Sequence, residues 1–427
     1  MYERSVGRAG GRASRDLWLA STALVAGLAA MTAMPGNALA DCNATGSIIS
    51  CSGTTASPGY GDGTQNNQTI TIEAGATVLG GEGPPTANTS AITIGSGNIV
   101  NNGGGVTGGI DAISSTGNVL VNNTATITAN GGKGIISGGD AKVNSTGVIS
   151  GQIGIQAVGT ATVVNSGTIS GPTGGTFEGI KAGAISLVNS GTIATAFAAV
   201  NAGTGGASVI NQGTISVTEA LSAAISSDGG LTLDNSGTIS GSVSTLTGSS
   251  SIANKGSIDG GGNIAIYTQD RLTLNNTGQI TSAGQGISSI GALSIVLSNT
   301  GKINATGATG EAITAYTNLS GTNGGQITAT DDGIAVHAFR DMSLLDTGVI
   351  STGNTTSSST QAVGVQADNV LTLTNKGNIL TGTSGANVAI QAGAAANVDN
   401  QALISAGGTD AYGILSGGDV RLTNPAR

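Results

Sequence analysis

Apolar and polar residues alternate in short bursts along most of the chain, and the bursts recur. In Leu231-Thr232-Leu233-Asp234-Asn235-Ser236-Gly237-Thr238-Ile239-Ser240-Gly241, residues Leu231, Leu233 and Ile239 share one parity. A strand places them on one face and Thr232, Asp234 and Thr238 on the other. Asn235-Ser236-Gly237 between the two arms reads as a turn, because Asn bonds its own backbone and Gly accepts positive φ.

The phrase returns as Val143-Asn144-Ser145-Thr146-Gly147-Val148-Ile149, Val164-Asn165-Ser166-Gly167-Thr168-Ile169 and Val188-Asn189-Ser190-Gly191-Thr192-Ile193, and continues through Asn375-Lys376-Gly377-Asn378-Ile379. From Ile127 to Ile404 its closing isoleucine advances 277 residues in twelve steps, about 23 per repeat, which is solenoid spacing. A second phrase lies between the markers, as in Gly179-Ile180, Ala224-Ile225, Ala312-Ile313 and Gly333-Ile334. Each repeat therefore holds several short strands and no helical period. The expected fold is all-β: a single-stranded, right-handed parallel β-helix of roughly 15 coils, about 70 Å long at ~4.8 Å per coil. The asparagines at 144, 165, 189, 211, 235, 254, 276, 299 and 375 are expected to stack as a structural amide ladder.

The ends read differently. Arg4, Arg8, Arg12 and Arg15 precede an apolar run from Leu17 to Met34 and then Ala38-Leu39-Ala40, the layout of an export signal over 1–40. Residues 41–67 read as an N-terminal cap, and 68–427 as the β-helix, ending without a cap. Cys42 and Cys51 are the only cysteines. In an exported chain a disulfide closing a small loop is the leading reading; two free thiols or a metal pair are the alternatives, and no clustered His supports a metal. Loops are expected at Gly80–Asn88, Ser351–Thr360 and Thr381–Ala386.

Charge narrows the partners. Four of the 14 basic residues and two of the 23 acidic ones lie in 1–40, leaving a net formal charge of −11 on the rest. No basic stripe is available for phosphates, so nucleic acid and anionic lipid are excluded as electrostatic partners. No cofactor or metal motif is present; the Gly-Gly-x-Gly-x-Asp calcium repeat does not occur in tandem.

Parallel β-helices can carry polysaccharide chemistry. Counting three residues past the inward Ile or Val of the second phrase puts Gln269, Ile290, Tyr316, His337 and Asp368 in one outward column. Tyr316, the single histidine His337 and Asp368 are thus the candidate acid–base constellation for glycosidic cleavage. Asp331-Asp332 nearby reads as a turn pair and Arg340-Asp341 sits at the next corner, their acids solvating the turns.

Taken together, the Asn-Ser-Gly-Thr-Ile-Ser repeats after an export signal and the short Cys42–Cys51 loop resemble the passenger region of bacterial autotransporters over nearly all of 41–427. The resemblance implies display on, or secretion from, a Gram-negative cell and roles in adhesion, aggregation or scaffolding. Partners would be glycans, host or sibling cell surfaces, or other copies of the chain. The family's C-terminal translocator barrel and its aromatic girdles are not found here, and neither is the nucleophile segment of its protease members. Export would then use a separate translocator, or the chain would be a truncated passenger, held in the periplasm and lacking independent activity. The expected function is non-enzymatic, with a polysaccharide-acting enzyme centred on Tyr316, His337 and Asp368 as the alternative.

Overall fold

The computed structural model describes residues 42–425 apart from 56–58, 82–88, 172–176, 291–293, 308–309 and 355–360. The expected export signal and the expected loop residues at 82–88 and 355–360 therefore lie outside the described residues. Every regular element among those described is a β-strand. They form a right-handed parallel β-solenoid of roughly 15 coils about 23 residues apart.

One coil shows how the sequence builds it. Leu231–Asn235 forms the first face, Thr238–Ser240 the second and Ser242–Thr245 the third, before Ser250–Asn254 returns to the first. Each strand pairs in parallel with its counterparts one coil away, as in Leu233↔Ile252 and Ile239↔Ile258. The other two faces act as the crossover that parallel pairing needs. Leu231, Leu233, Ile239 and Val243 are at most 1% exposed, whereas Thr232 and Thr238 face solvent. Burying each large aliphatic chain contributes about 1.5–3 kcal/mol, but only a stacked neighbour removes the water above and below it.

Asparagine closes the first face from inside. From Asn165 through Asn189, Asn211, Asn235, Asn254, Asn276, Asn299 and Asn323 to Asp346, each Nδ2 donates to the Oδ1 of the next coil at 2.7–2.9 Å. The ladder also includes Asn102 and Asn123, but not Asn144. Asn144 lies on the outer side and donates to Asn122 at 2.9 Å. One extra residue stands between Asn144 and Gly147 than in the neighbouring repeats, so Ser145 takes the inner position, paired with Asn123 and Asn165. Serine is too short to continue the chain of amides. Asn165 Oδ1 is buried and has no partner among the described residues.

The turn glycine is required for space, not for positive φ. Gly237 is absent from the left-handed region, but a Cβ there would lie 2.1 Å from the carbonyl oxygen of Gly213. The glycine of every turn from Gly167 to Gly377 meets its predecessor at the same 2.0–2.1 Å, far inside any tolerable contact.

At the N-terminal edge Cys42–Thr45 pairs antiparallel with Ile48–Cys51, and a disulfide joins Cys42 to Cys51. Parallel stacking begins before Gln68, because Ile48–Cys51 already pairs with Thr69–Ile72. The extra strand covers an edge that would otherwise present unpaired N–H and C=O groups.

Candidate functional site

The third face carries the candidate residues, in an order that differs from the expected one. His337 does not share a column with Tyr316 and Asp368. The inward residue of its coil is Val336, fully buried, and not Ile334. Counting from Val336 puts Phe339 in the column, which runs Gln269, Ile290, Tyr316, Phe339, Asp368. Their backbone N–H groups donate in turn to Thr245, Thr268, Ser289, Ala315 and Ala338 of the preceding coil, at 2.9–3.1 Å. A two-residue slip keeps inside and outside parity, so alternation alone cannot detect it. His337 pairs instead with Thr314 and Gln366.

The slip still leaves His337 beside Asp368, with Nε2 3.1 Å from Oδ1. Its other nitrogen, Nδ1, lies 3.3 Å from Oε1 of Glu311, a residue the sequence did not single out. The imidazole thus bridges carboxylates one coil before and one coil after its own. Thr314 Oγ1 and Gln285 Nε2 both donate to Glu311 Oε2, the latter at 3.0 Å. Gln366 Nε2 donates to Asp368 Oδ1 at 2.9 Å.

Tyr316 makes no hydrogen bond to this group. Its ring stacks on Phe339 with centroids 4.7 Å apart and planes 7° apart, and Phe339 also lies 4.2 Å from the His337 ring. The facing ring surfaces cover each other, so this pair packs as a ladder and not as an open platform for a sugar ring.

Burial pushes the imidazole toward the neutral form, but the hydrogen bonds and charge of Glu311, then those of Asp368, outweigh it and raise the His337 pKa above 6.5. Burial likewise pushes Glu311 upward, and the bonds from His337 and Thr314 with the imidazolium charge bring it below its usual 4.5. Both shifts favour the ion pair. With each ring nitrogen already bonded to a carboxylate, His337 has no free lone pair for a substrate proton. Asp368, 37% exposed at its side chain, is the more open of the two carboxylates, against 20% for Glu311.

The remaining acids behave as corner residues. Asp331 Oδ1 accepts from the Asn354 N–H at 2.7 Å, and Asp341 Oδ1 accepts from Asn369 Nδ2 at 2.7 Å. Among the described residues no group of three or more His, Cys, Asp or Glu is placed to hold a metal ion. A groove of about 850 Å³ runs elsewhere, along the glycine corner, lined by Gly256 to Gly377 and by Lys255, Lys302 and Lys376.

Glu311 had a signal in the sequence. Glu178-Gly179-Ile180 and Glu311-Ala312-Ile313 place a glutamate two residues before the inward isoleucine, a spacing that positions it to bond the residue three further on. Phe339 needed the corrected register. No family model, curated protein or solved structure matches this chain.

Proposed function

We propose that this chain is the displayed part of an autotransporter-type export system, acting at or beyond the surface of a Gram-negative cell as an adhesive or self-associating stalk. The reading rests on the export-signal pattern in 1–40 together with a solenoid whose exterior repeats the same small polar groups. The observation that carries it is the column Thr162, Ser186, Ser208, Thr232, Ser251 and Thr273, stacked over six consecutive coils on the first face. Hydroxyls at about 4.8 Å intervals offer many weak, equivalent bonds to glycans or to another copy, and avidity rather than one tight site supplies the binding.

The test is expression in a Gram-negative host with a translocator, followed by fractionation, protease shaving of intact cells and a cell-settling assay. Surface-accessible protein that accelerates settling is expected. Retention in the periplasm in the presence of the translocator would refute display.

One observation favours a second reading, a polysaccharide-acting enzyme: solvent-facing Asp368 sits against the buried, protonatable His337. Release of new reducing ends from acidic or neutral polysaccharides, lost in H337Q, is its expected signature. Equal release by both proteins, or none, would eliminate it.

A further inference from the structure

Asp346 stands between two ladder positions that carry an amide, Asn323 and Asn375. It is fully buried. On its N-terminal side Asn323 Nδ2 donates to Oδ1 at 2.7 Å, and the N–H of Gly348 reaches the same oxygen at 3.2 Å. On its C-terminal side the Asn375 amide oxygen faces two acceptors, Oδ2 of Asp346 and the Gly377 carbonyl, both at 3.2 Å; with the amide turned over, its nitrogen would donate to both and its oxygen would face Oδ1 of Asn400 at 2.8 Å. In the direction followed by every earlier coil, Asn375 Nδ2 donates to Asn400 Oδ1, leaving its own Oδ1 against Asp346 Oδ2. Two bare acceptors cannot share that contact, so a proton must lie between them or the amide must turn over.

We propose that Asp346 is a proton-operated joint that sets the direction of the amide ladder. As the neutral acid it accepts from Asn323 through Oδ1 and donates Oδ2–H to Asn375 Oδ1, and the ladder passes through it unchanged to Asn400. When Oδ2 gives its proton to solvent, the carboxylate accepts from both sides. Asn375 then rotates to donate to it and turns its oxygen toward Asn400, which must rotate in response. One proton thus reverses the hydrogen-bond polarity of every amide beyond the joint.

The surroundings favour the acid form at the outset. Burial raises the Asp346 carboxyl above the ordinary aspartate range, and the bonds from Asn323 and Gly348 only partly oppose it. The groups packed against it are amides and backbone: Asn323 before, Thr347 and Gly348 in its own turn, Asn375 and Gly377 after. The single charged side chain in these three turns, Lys376, is exposed and meets Asp346 through its backbone N–H, 2.7 Å from the Asp346 carbonyl. Among the described residues no ion pair neutralises the carboxylate.

The test is D346N, which installs the residue that the neighbouring ladder positions already carry and is expected to fold. Unfolding constants of the two proteins are compared from pH 3 to 8. Their ratio cancels every other titration, including that of His337. Because the folded pKa lies above the unfolded one, wild type should match D346N at the acid end. Its relative unfolding constant should then rise by up to roughly tenfold per pH unit above the ordinary aspartate pKa, levelling off at the folded value. A ratio that stays flat, or that falls with pH, would overturn the proposal. Side-chain amide resonances of Asn375 and Asn400 provide the second measurement. They should shift together over the same pH range in wild type and stay fixed in D346N; titration of Asp346 without movement of both amides would overturn the reversal.

Discussion

Glu178 and Glu311 occupy the same place in their coils, and their sites differ in kind. Each lies two residues before an inward isoleucine and bonds a residue three positions on and a side chain of the next coil. Glu178 meets Lys181 at 3.0 Å and Asn201 at 2.5 Å; Glu311 meets Thr314 and His337. The first is a lysine–glutamate ion pair whose lysine is half exposed. The second is a buried proton-binding bridge extended by Asp368 to a third coil. The backbone thus offers one repeated socket, and the residue one coil on, Asn201 or His337, decides whether an imidazole bridges it to a further coil.

The strongest test of that comparison attacks what the sites share. I180D and I313D both bury an unpaired carboxylate in the same core column, and each should cost more than about 4 kcal/mol in denaturant unfolding. A large difference between them would mean that the two coils are not equivalent scaffolds. Next, H337A should cost about 2–3 kcal/mol, because it strips a buried carboxylate of its charged partner. K181A should cost less than about 1 kcal/mol, since its ion pair is screened by solvent. Similar losses for the two would erase the distinction drawn here.

The pH dependence has a definite sign. The raised pKa of His337 makes its contribution complete below about 6.5 and lost as pH rises through the folded value. The lowered pKa of Glu311 makes its contribution present above about 4.5 and lost as pH falls through its depressed value. The bridge should therefore stabilise most between about pH 4.5 and 6.5, seen as the difference in unfolding free energy between wild type and H337N. The smallest effect is expected from H337N itself near pH 8, under about 1 kcal/mol, because it reproduces the amide that Asn201 supplies to Glu178. A constant gap across pH would show that His337 titrates alike in the folded and unfolded protein, so that the bridge does not raise its pKa.

How much of this the sequence disclosed follows from what alternation can encode. Leu231, Leu233 and Ile239 were legible as core because parity and period both point inward. The amide ladder was legible where the turn read Asn-x-Gly with a side chain at x, from Asn165 to Asn299 and at Asn375. It was missed at Asn323, whose turn reads Gly324-Gly325, and misplaced at Asn144, where the phrase is one residue longer. The His337 register failed because Ile334 and Val336 have the same parity, and only pairing across coils separates them. Asp368 was found, although through a column it does not share with His337. Glu311 and Phe339 come close to His337 by stacking, a relation between residues 26 apart or on opposite sides of a register choice that local pattern does not specify.

The stacked turn glycines also shape how such a chain can change over generations. A corner that admits no Cβ rejects nearly any substitution at Gly237 or Gly256, yet it accepts the loss or gain of an entire coil. Excising residues 236–254, a 19-residue period between successive ladder amides, would join Asn235 to Lys255-Gly256 and restore an Asn-x-Gly turn. The product would be a solenoid one rung shorter, by about 4.8 Å, with every remaining interface intact. Recombination between repeats can therefore tune the reach of this protein in steps, while point mutation at its corners is almost closed to it.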